Sequence, residues 1–437
     1  MKTIRRPLGA METAQVITGQ NFSFNVAAIL RISNGPLPEQ LKAAADQLLK
    51  RHPLLGASVK IERKSFYFQL DQPKEMKMKM VEREDENSWK KIAQKRLNNP
   101  IDCSVAPLVR LDYIIGPDNV GESEIIFTFH HVVMDAASGG NLVDELLSLC
   151  VKEALPPLEI NKETKGLAPS AQDLFPPSYQ GIRRKFNTFI YMMRMMADEL
   201  SYKIQTMRSR KAPIHSSGQG KIIPMIFSKE MTTLLWKKAR KTRITIKSLF
   251  DASLLMAVHK HLYHNAAMPL RYFVFPDLRP FLKPPLPAQV TGSYFATMRF
   301  TTSLKPSVNL TDLARNIQEQ VYKSLKRGDK FSAHLQTHLM IKALMRFRSF
   351  RMGNTAVSYI GQVNVKPSYG NIKINQIHVY SSNFVLGPEY TAQTRLFNHQ
   401  FYWDILYLDS DMDEEKAKQI ADEIKHILET FALEKTQ

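Results

Sequence analysis

One stretch, Glu124 to Leu147 (EIIFTFHHVVMDAASGGNLVDELL), constrains this chain more than any other. Its first part, Ile125-Ile126-Phe127-Thr128-Phe129, is short, β-branched and aromatic, which is the composition of a buried strand. The strand ends in His130-His131. Three residues follow, then Asp135, small residues to Gly140, and Leu142, Val143, Leu146 and Leu147 at helical spacing. A strand therefore delivers two adjacent imidazoles to a turn. Strand side chains alternate, so the two rings should point to opposite faces and only one should meet an open cleft. Asp135 stands close enough to fix the turn or to anchor a partner. A histidine pair at a strand end is as a rule structural, so the rest of the chain must decide whether this one does chemistry.

At 437 residues the chain exceeds one ordinary core and suits two domains of about 200 residues each. With 44% hydrophobic and 23% charged residues it has the make-up of a soluble globular protein. Cys103 and Cys150 are its two cysteines, so no disulfide framework is expected and a reducing cytoplasm is the default. No apolar core follows Arg5 and Arg6, so no secretory signal is expected, and no apolar run is long enough to span a bilayer. The net charge of +19 favours anionic partners: nucleic acid, anionic lipid, nucleotide-bearing cofactors or acidic carrier proteins. No zinc pattern, RNP-type motif or helix-turn-helix accompanies the charge, so nucleic acid is not expected.

Taken in order, Pro7 to Gln15 (PLGAMETAQ) reads as a loop-like opening. Phe22 to Ile32 alternates as a half-buried strand, and Pro38 opens a helix bearing Leu41, Ala44, Ala45, Leu48 and Leu49. Ala57–Ile61 and Phe66–Leu70, split by residues 62–64, read as a hairpin. A helix from Trp89 to Leu97, a strand from Leu108 to Ile115 and a turn at residues 116–119 follow. Pro156, Pro157, Pro169, Pro176 and Pro177 mark an irregular connection. From Gly181 to Arg210, Ile182, Phe186, Phe189, Met193, Met196, Leu200, Ile204 and Met207 form one apolar stripe among basic residues. Residues 161–250 hold 18 Lys and Arg against 5 Asp and Glu, most of the net charge. Either this helix packs on its own domain with a solvated basic face, or it rests on an anionic membrane or lines an acyl-chain tunnel. Beyond it lie a strand at Ile222–Phe227, a Ser228-capped helix and a buried helix from Thr245 to Leu262. His259, His261 and His264 cluster at that helix end without the carboxylate or cysteine a metal site needs, so no metal is expected. A strand at Tyr272–Phe275, a helix at Leu313–Leu325, strands at Ala356–Val365 and Asn398–Leu408, and an acid-opened final helix complete the chain.

His130-His131, Asp135 and the small residues after it resemble the HHxxxDG signature of the condensation-domain superfamily, which includes thioester-dependent acyltransferases, wax-ester synthases and peptide condensation domains. PLGAMETAQ is similar to the family's opening motif, Arg51-His52-Pro53-Leu54-Leu55 to its RHPxLR segment, and Pro107-Leu108-Val109-Arg110 to its PLxR. Asp277-Leu278-Arg279-Pro280 resembles the DxRP segment. Ala136, Ser293 and Tyr359 depart from the residues usual in the family.

The resemblance implies an α/β fold of two chloramphenicol-acetyltransferase-like domains in pseudo-twofold arrangement with a channel between them. The expected division is residues 1–155 carrying HHxxxD, a linker at 156–220 with the basic, methionine-rich helix, and 221–437. It implies transfer of an acyl group from a thioester to an alcohol acceptor, with His131 as general base and no covalent acyl-enzyme. His130, Asp135 and Arg279 would be structural at the site, Asp135 pairing with Arg279. Ala136, Ser138, Ser293, Ser358 and Tyr359 would line the channel. No permanent cofactor is expected; acyl-CoA, or the phosphopantetheine thioester of an acidic acyl-carrier protein, would be co-substrate. The expected setting is cytoplasmic, or peripheral on the inner face of an anionic membrane. Two alternatives stay open: amide formation on carrier-bound substrates, and a degenerate module that only binds a carrier protein or membrane.

Overall fold

The computed structural model describes residues 4–63, 65–70, 75–116, 121–158, 167–207, 217–347 and 351–434. Lys64, the turn at residues 117–119 and the helix end at residues 208–210 lie outside them. The chain opens with β1 (Ile4–Pro7), α1 (Ala10–Asn21), β2 (Asn25–Ser33), α2 (Pro38–Arg51), β3 (Ser58–Glu62), β4 (Ser65–Leu70) and β5 (Met78–Glu82). It continues with α3 (Ser88–Asn98), β6 (Val109–Ile115), β7 (Glu122–His130), α4 (Ala136–Cys150) and α5 (Gly181–Thr206). Next come β8 (Gly220–Ile226), α6 (Lys229–Lys241), α7 (Ile246–Tyr263), β9 (Met268–Val274) and β10 (Met298–Leu304). The remainder is α8 (Leu310–Arg327), α9 (Asp329–Phe347), β11 (Thr355–Gln362), β12 (Ser368–Tyr369), β13 (Ile372–Ser381), β14 (Tyr390–Phe397), β15 (Gln400–Leu408) and α10 (Glu414–Leu433).

These elements gather into two compact units, each mixing sheet and helix in the α/β class. The first comprises Met1–Pro176, Asp277–Phe295 and Gln362–Ser382; the second comprises Pro177–Pro276, Ala296–Gly361 and Asn383–Gln437. The units therefore cut the chain differently from a linear split at residues 155 and 220. The reason is non-local pairing: β13 lies antiparallel to β2, and residues 277–295 return to the start of α4.

In the first unit a six-stranded sheet runs β12-β13-β2-β7-β6-β5, and a smaller sheet runs β1-β4-β3. β7 is central and antiparallel to both neighbours, with His130 opposite Asn25 and Phe129 opposite Val109. β2 is buried continuously from Asn25 to Leu30 rather than on one face. Its one strongly polar member in that run is tolerated because the Asn25 amide donates to the Arg96 and Asn99 carbonyls at 2.8 Å each. The loop-like opening is in fact a helix. Gly9 takes the N-cap position of α1, and Glu12 accepts from its backbone N–H at 2.7 Å while binding Arg6 at 2.6 and 2.9 Å.

In the second unit the sheet order is β10-β9-β11-β14-β15-β8. Helices α6, α7, α8 and α10 share one apolar core with it, in which Trp403 meets Phe250 at 4.7 Å between ring centres. Side-chain caps fix the starts of four helices: Ser228 accepts from Met231 N–H, Thr245 from Ser248 N–H, Asn309 from Asp312 N–H, and Asp413 from Lys416 N–H. The helix α9 had no sequence expectation.

The long basic helix departs from the reading in which its apolar stripe packs inward. α5 docks on its own unit by its polar face. Glu199 takes Arg271 at 2.9 Å and Arg299 at 3.0 Å, the Tyr202 ring lies 3.6 Å under the Arg271 guanidinium, and Arg194 reaches Asp329. The stripe from Ile182 to Met207 faces solvent, with Ile182 82% and Met207 77% exposed. Charge pairing with buried arginines of β9 and β10, not apolar burial, sets the face that docks.

Candidate active site

The first unit holds the strand–turn–helix with its two imidazoles in different surroundings. His130 is fully buried. Its Nδ1 accepts from the Val132 N–H at 3.1 Å, so the neutral ring carries its proton on Nε2. Burial, helped by the neighbouring imidazole, pushes its pKa down to about 3. Its Nε2 abuts Gly19 of α1, where a Cβ would sit 2.4 Å away. Only glycine leaves room for this ring.

His131 is half-buried and begins the turn, its backbone N–H donating to the Phe24 carbonyl at 3.0 Å. The ring stacks on Phe24 at 5.3 Å and meets Phe295 at 5.4 Å. Nδ1 lies 3.0 Å from the Met134 carbonyl oxygen, an acceptor only, and 3.3 Å from the Gln15 amide nitrogen, a donor only; the shorter contact places the proton on Nδ1. Nε2 is left with the lone pair. Burial lowers the pKa of His131 and outweighs the opposing pull of backbone hydrogen bonds and Asp135, so the ring is neutral near pH 7.

Asp135 is the N-cap of α4 and the most heavily bonded side chain here. Oδ1 accepts from Ser138 N–H (3.1 Å), Ser138 Oγ (2.9 Å) and Arg279 Nη2 (3.0 Å). Oδ2 accepts from Arg279 Nη1 (2.8 Å) and Tyr294 N–H (2.9 Å). Burial alone would raise its pKa, but the Arg279 charge and these bonds hold it below the usual carboxylate range. Arg279 also donates to the Val290 carbonyl and packs over the Tyr294 ring. Gly292, at φ +143°, supplies the backbone turn that brings Tyr294 N–H to the carboxylate, in a region side-chain-bearing residues avoid. Gln15, one helical turn before Gly19, accepts from Ser293 Oγ at 2.6 Å and donates to the His131 carbonyl at 3.2 Å.

The structure thus brings His130, His131, Asp135, Ser138, Arg279 and Ser293 together in one unit. Ala136 is the exposed first residue of α4 and lies outside the positive-φ region, so its methyl is unstrained. Ser138 and Ser293 are buried, their hydroxyls committed to Asp135 and Gln15. Ser358 and Tyr359 lie on β11 of the second unit, Tyr359 edge-on to Phe250. Gln15, Gly19, Phe24, Met134 and Tyr294 were not singled out by sequence; Gln15 alone carried a signal, as the end of the PLGAMETAQ motif. Burial pushes both cysteine thiols up to about 12, which removes them as nucleophiles. Among the described residues no group of three or more His, Cys, Asp or Glu side chains is placed to hold a metal ion. His259 bonds the Ala266 carbonyl, while His261 lies near Glu423.

Two family models match separate stretches that together cover most of the chain: a condensation domain over residues 11–165, and the phthiocerol/phthiodiolone dimycocerosyl transferase C-terminus over residues 222–386. Surfactin synthase subunit 1 of Bacillus subtilis is 27% identical over 157 residues, 36% of this chain and 4% of that synthase. A trichothecene 15-O-acetyltransferase from Fusarium sporotrichioides superposes with a TM-score of 0.77 at 13% identity, covering 98% of this chain and 96% of that one. Polyketide synthase associated protein 5 from Mycobacterium tuberculosis gives a TM-score of 0.68 at 16% identity, covering 98% and 99%. At such identities the structural likeness is one of fold. The paired histidines and the Asp135 cap lie inside the stretch that matches the condensation domain, and the chain has the chloramphenicol-acetyltransferase-like fold of these structures.

Proposed function

We propose that the protein is an acyltransferase that moves an acyl group from a thioester, either acyl-CoA or an acyl-carrier protein, to an alcohol acceptor. The observation that carries this reading is the tautomer of His131. With Nδ1–H held by the Met134 carbonyl, a neutral Nε2 presents the lone pair a general base requires. Nε2 takes the acceptor's O–H proton as that oxygen attacks the thioester carbonyl carbon. As the tetrahedral intermediate collapses, the C–S bond breaks and the thiolate recovers the proton from Nε2, leaving an ester and a free thiol. No residue is acylated on the way.

General-base help of this kind is worth roughly 10²–10⁴ in rate. His130, neutral and walled in, has no such role; Asp135 with Arg279 holds the turn that presents His131. The condensation-domain match at residues 11–165 favours one second reading, amide formation on carrier-bound substrates. Thiol release from a panel of acyl-CoAs and acyl-carrier proteins, with mixed alcohol and amine acceptors, tests both. Turnover lost in His131→Ala with folding intact supports acyl transfer through this base, and mass spectrometry of the product separates ester from amide. Equal traces in wild type and variant with both donor types would sink the proposal.

A further inference from the structure

We propose that α5 is a membrane-surface helix, its exposed apolar stripe seated in the interfacial layer of a bilayer bearing anionic headgroups. This inference does not depend on the acyl-transfer reading. Ile182, Phe186, Phe189, Met193, Met196, Leu200, Ile204 and Met207 are each about half exposed or more, and they follow at intervals of three or four along one narrow line. At 1.5 Å per residue the line runs for roughly 38 Å. A soluble protein rarely leaves so long a continuous apolar strip open to water.

What covers it is indicated by charge. The carboxylates of α5, Asp198 and Glu199, face inward to Arg271 and Arg299. The flanks of the stripe carry exposed cations: Arg183 and Lys185 at one end and Lys203, 3.8 Å from Glu199, towards the other. The packed neighbour α9 continues the pattern. It exposes Leu339 and Phe347 beside Lys342 and Arg346, and has no carboxylate after Asp329. The surface is thus apolar along its crest and cationic at its margins. A second copy of this chain would set cations against cations. An anionic bilayer offers hydrocarbon for the crest and phosphate for the margins, with each basic residue near the surface worth about 1 kcal/mol, close to fivefold in affinity. No helix among the described residues is long and apolar enough to cross a membrane, and the stripe asks only for a helix lying in the surface plane.

The test is co-sedimentation of the full chain with phosphatidylcholine vesicles, with and without phosphatidylglycerol, at low and moderate salt. The wild type should pellet with the mixed vesicles at least about tenfold more strongly than with phosphatidylcholine alone, and salt should weaken it. The variant Phe186→Ser/Phe189→Ser/Met196→Ser changes exposed positions only, so it should keep the wild-type unfolding midpoint and lose about tenfold or more in binding. Arg183→Glu/Lys185→Glu should lose a similar factor on mixed vesicles. A wild type that stays in the supernatant with mixed vesicles at low salt overturns the proposal. So does a serine variant that binds like wild type. A wild-type dimer that the serine substitutions split, without vesicle binding in either form, would assign the stripe to a subunit interface and overturn it as well.

Discussion

Nδ1 of His131 donates to the carbonyl oxygen of Met134, three residues ahead in the same turn, at 3.0 Å. Because the acceptor is main chain, the path of the turn favours this tautomer over the longer approach of the Gln15 amide nitrogen at 3.3 Å. Burial then keeps the ring from taking a second proton near neutrality.

The pH dependence follows from that direction. A base whose pKa lies below the usual 6.5 is already neutral at pH 7. We expect kcat/KM for thioester turnover to be flat from about pH 7 upward and to fall on acidification, with its midpoint below about 6.5. A limb centred above pH 7 in a pH–rate series would mean that another group supplies the base.

Gly19 predicts a steric effect on the paired imidazoles. A methyl there stands 2.4 Å from His130 Nε2, and the buried ring has little room to yield. Gly19→Ala should cost about 1–3 kcal/mol in stability and displace the backbone that carries His131, lowering turnover. Gly139, inside α4, is the matched control, since its nearest neighbour would be Met134 at an ordinary 3.5 Å. Gly139→Ala should be neutral or more stable by up to about 1 kcal/mol. Urea titrations of both variants decide the point, and equal midpoints would remove the steric argument.

Much of this arrangement can be read from contiguous patterns. β7 and α4 follow from the apolar run and the Asp135 cap, and α6, α7 and α10 from Ser228, Thr245 and the acidic start at Asp413. The rest depends on contacts that periodicity does not carry. α1 is hidden because Pro7, Gly9 and Gly19 look like loop residues, although Gly9 and Glu12 form its cap. That residues 277–295 and 362–382 belong with the first unit is a matter of long-range pairing. The stripe of α5 is plain in the sequence, but its period is the same whichever face docks; the buried Arg271 that draws the polar face inward lies 72 residues beyond Glu199. The Asp135–Arg279 contact was expected from family resemblance, not from spacing.

That contact makes its own prediction. Arg279→Met leaves the fully buried Asp135 carboxylate without its countercharge, and removing one partner of a buried pair costs roughly 3–5 kcal/mol. Adding Asp135→Asn to that background removes the stranded charge and keeps an acceptor oxygen for either Ser138 or Tyr294, so part of the loss should return. Chemical denaturation of the single and double variants measures this. A double variant no more stable than Arg279→Met would show that lost packing, not charge, is the cost.

Glu389, buried in the second unit, makes stability depend on pH. Its carboxyl accepts from Tyr263 Oη at 2.6 and 2.7 Å, and Tyr263 Oη accepts in turn from the Asn354 amide at 2.7 Å. Burial pushes the carboxyl from its ordinary 4.5 up to about 7, against the pull of Tyr263 and the Arg351 charge. The folded state therefore holds this proton more tightly than the unfolded chain. The resulting stability is complete below the unfolded pKa near 4.5 and is lost as pH rises through about 7, a change of roughly 3 kcal/mol. Glu389→Gln keeps a neutral acceptor and cannot titrate. Relative to wild type it should gain about 3 kcal/mol between pH 4 and pH 8, whatever its offset at pH 4. Denaturation midpoints for both proteins across that range give the answer. A constant difference would mean that the folded carboxyl titrates where an exposed one does, and would leave the pH sensitivity of the fold to other groups.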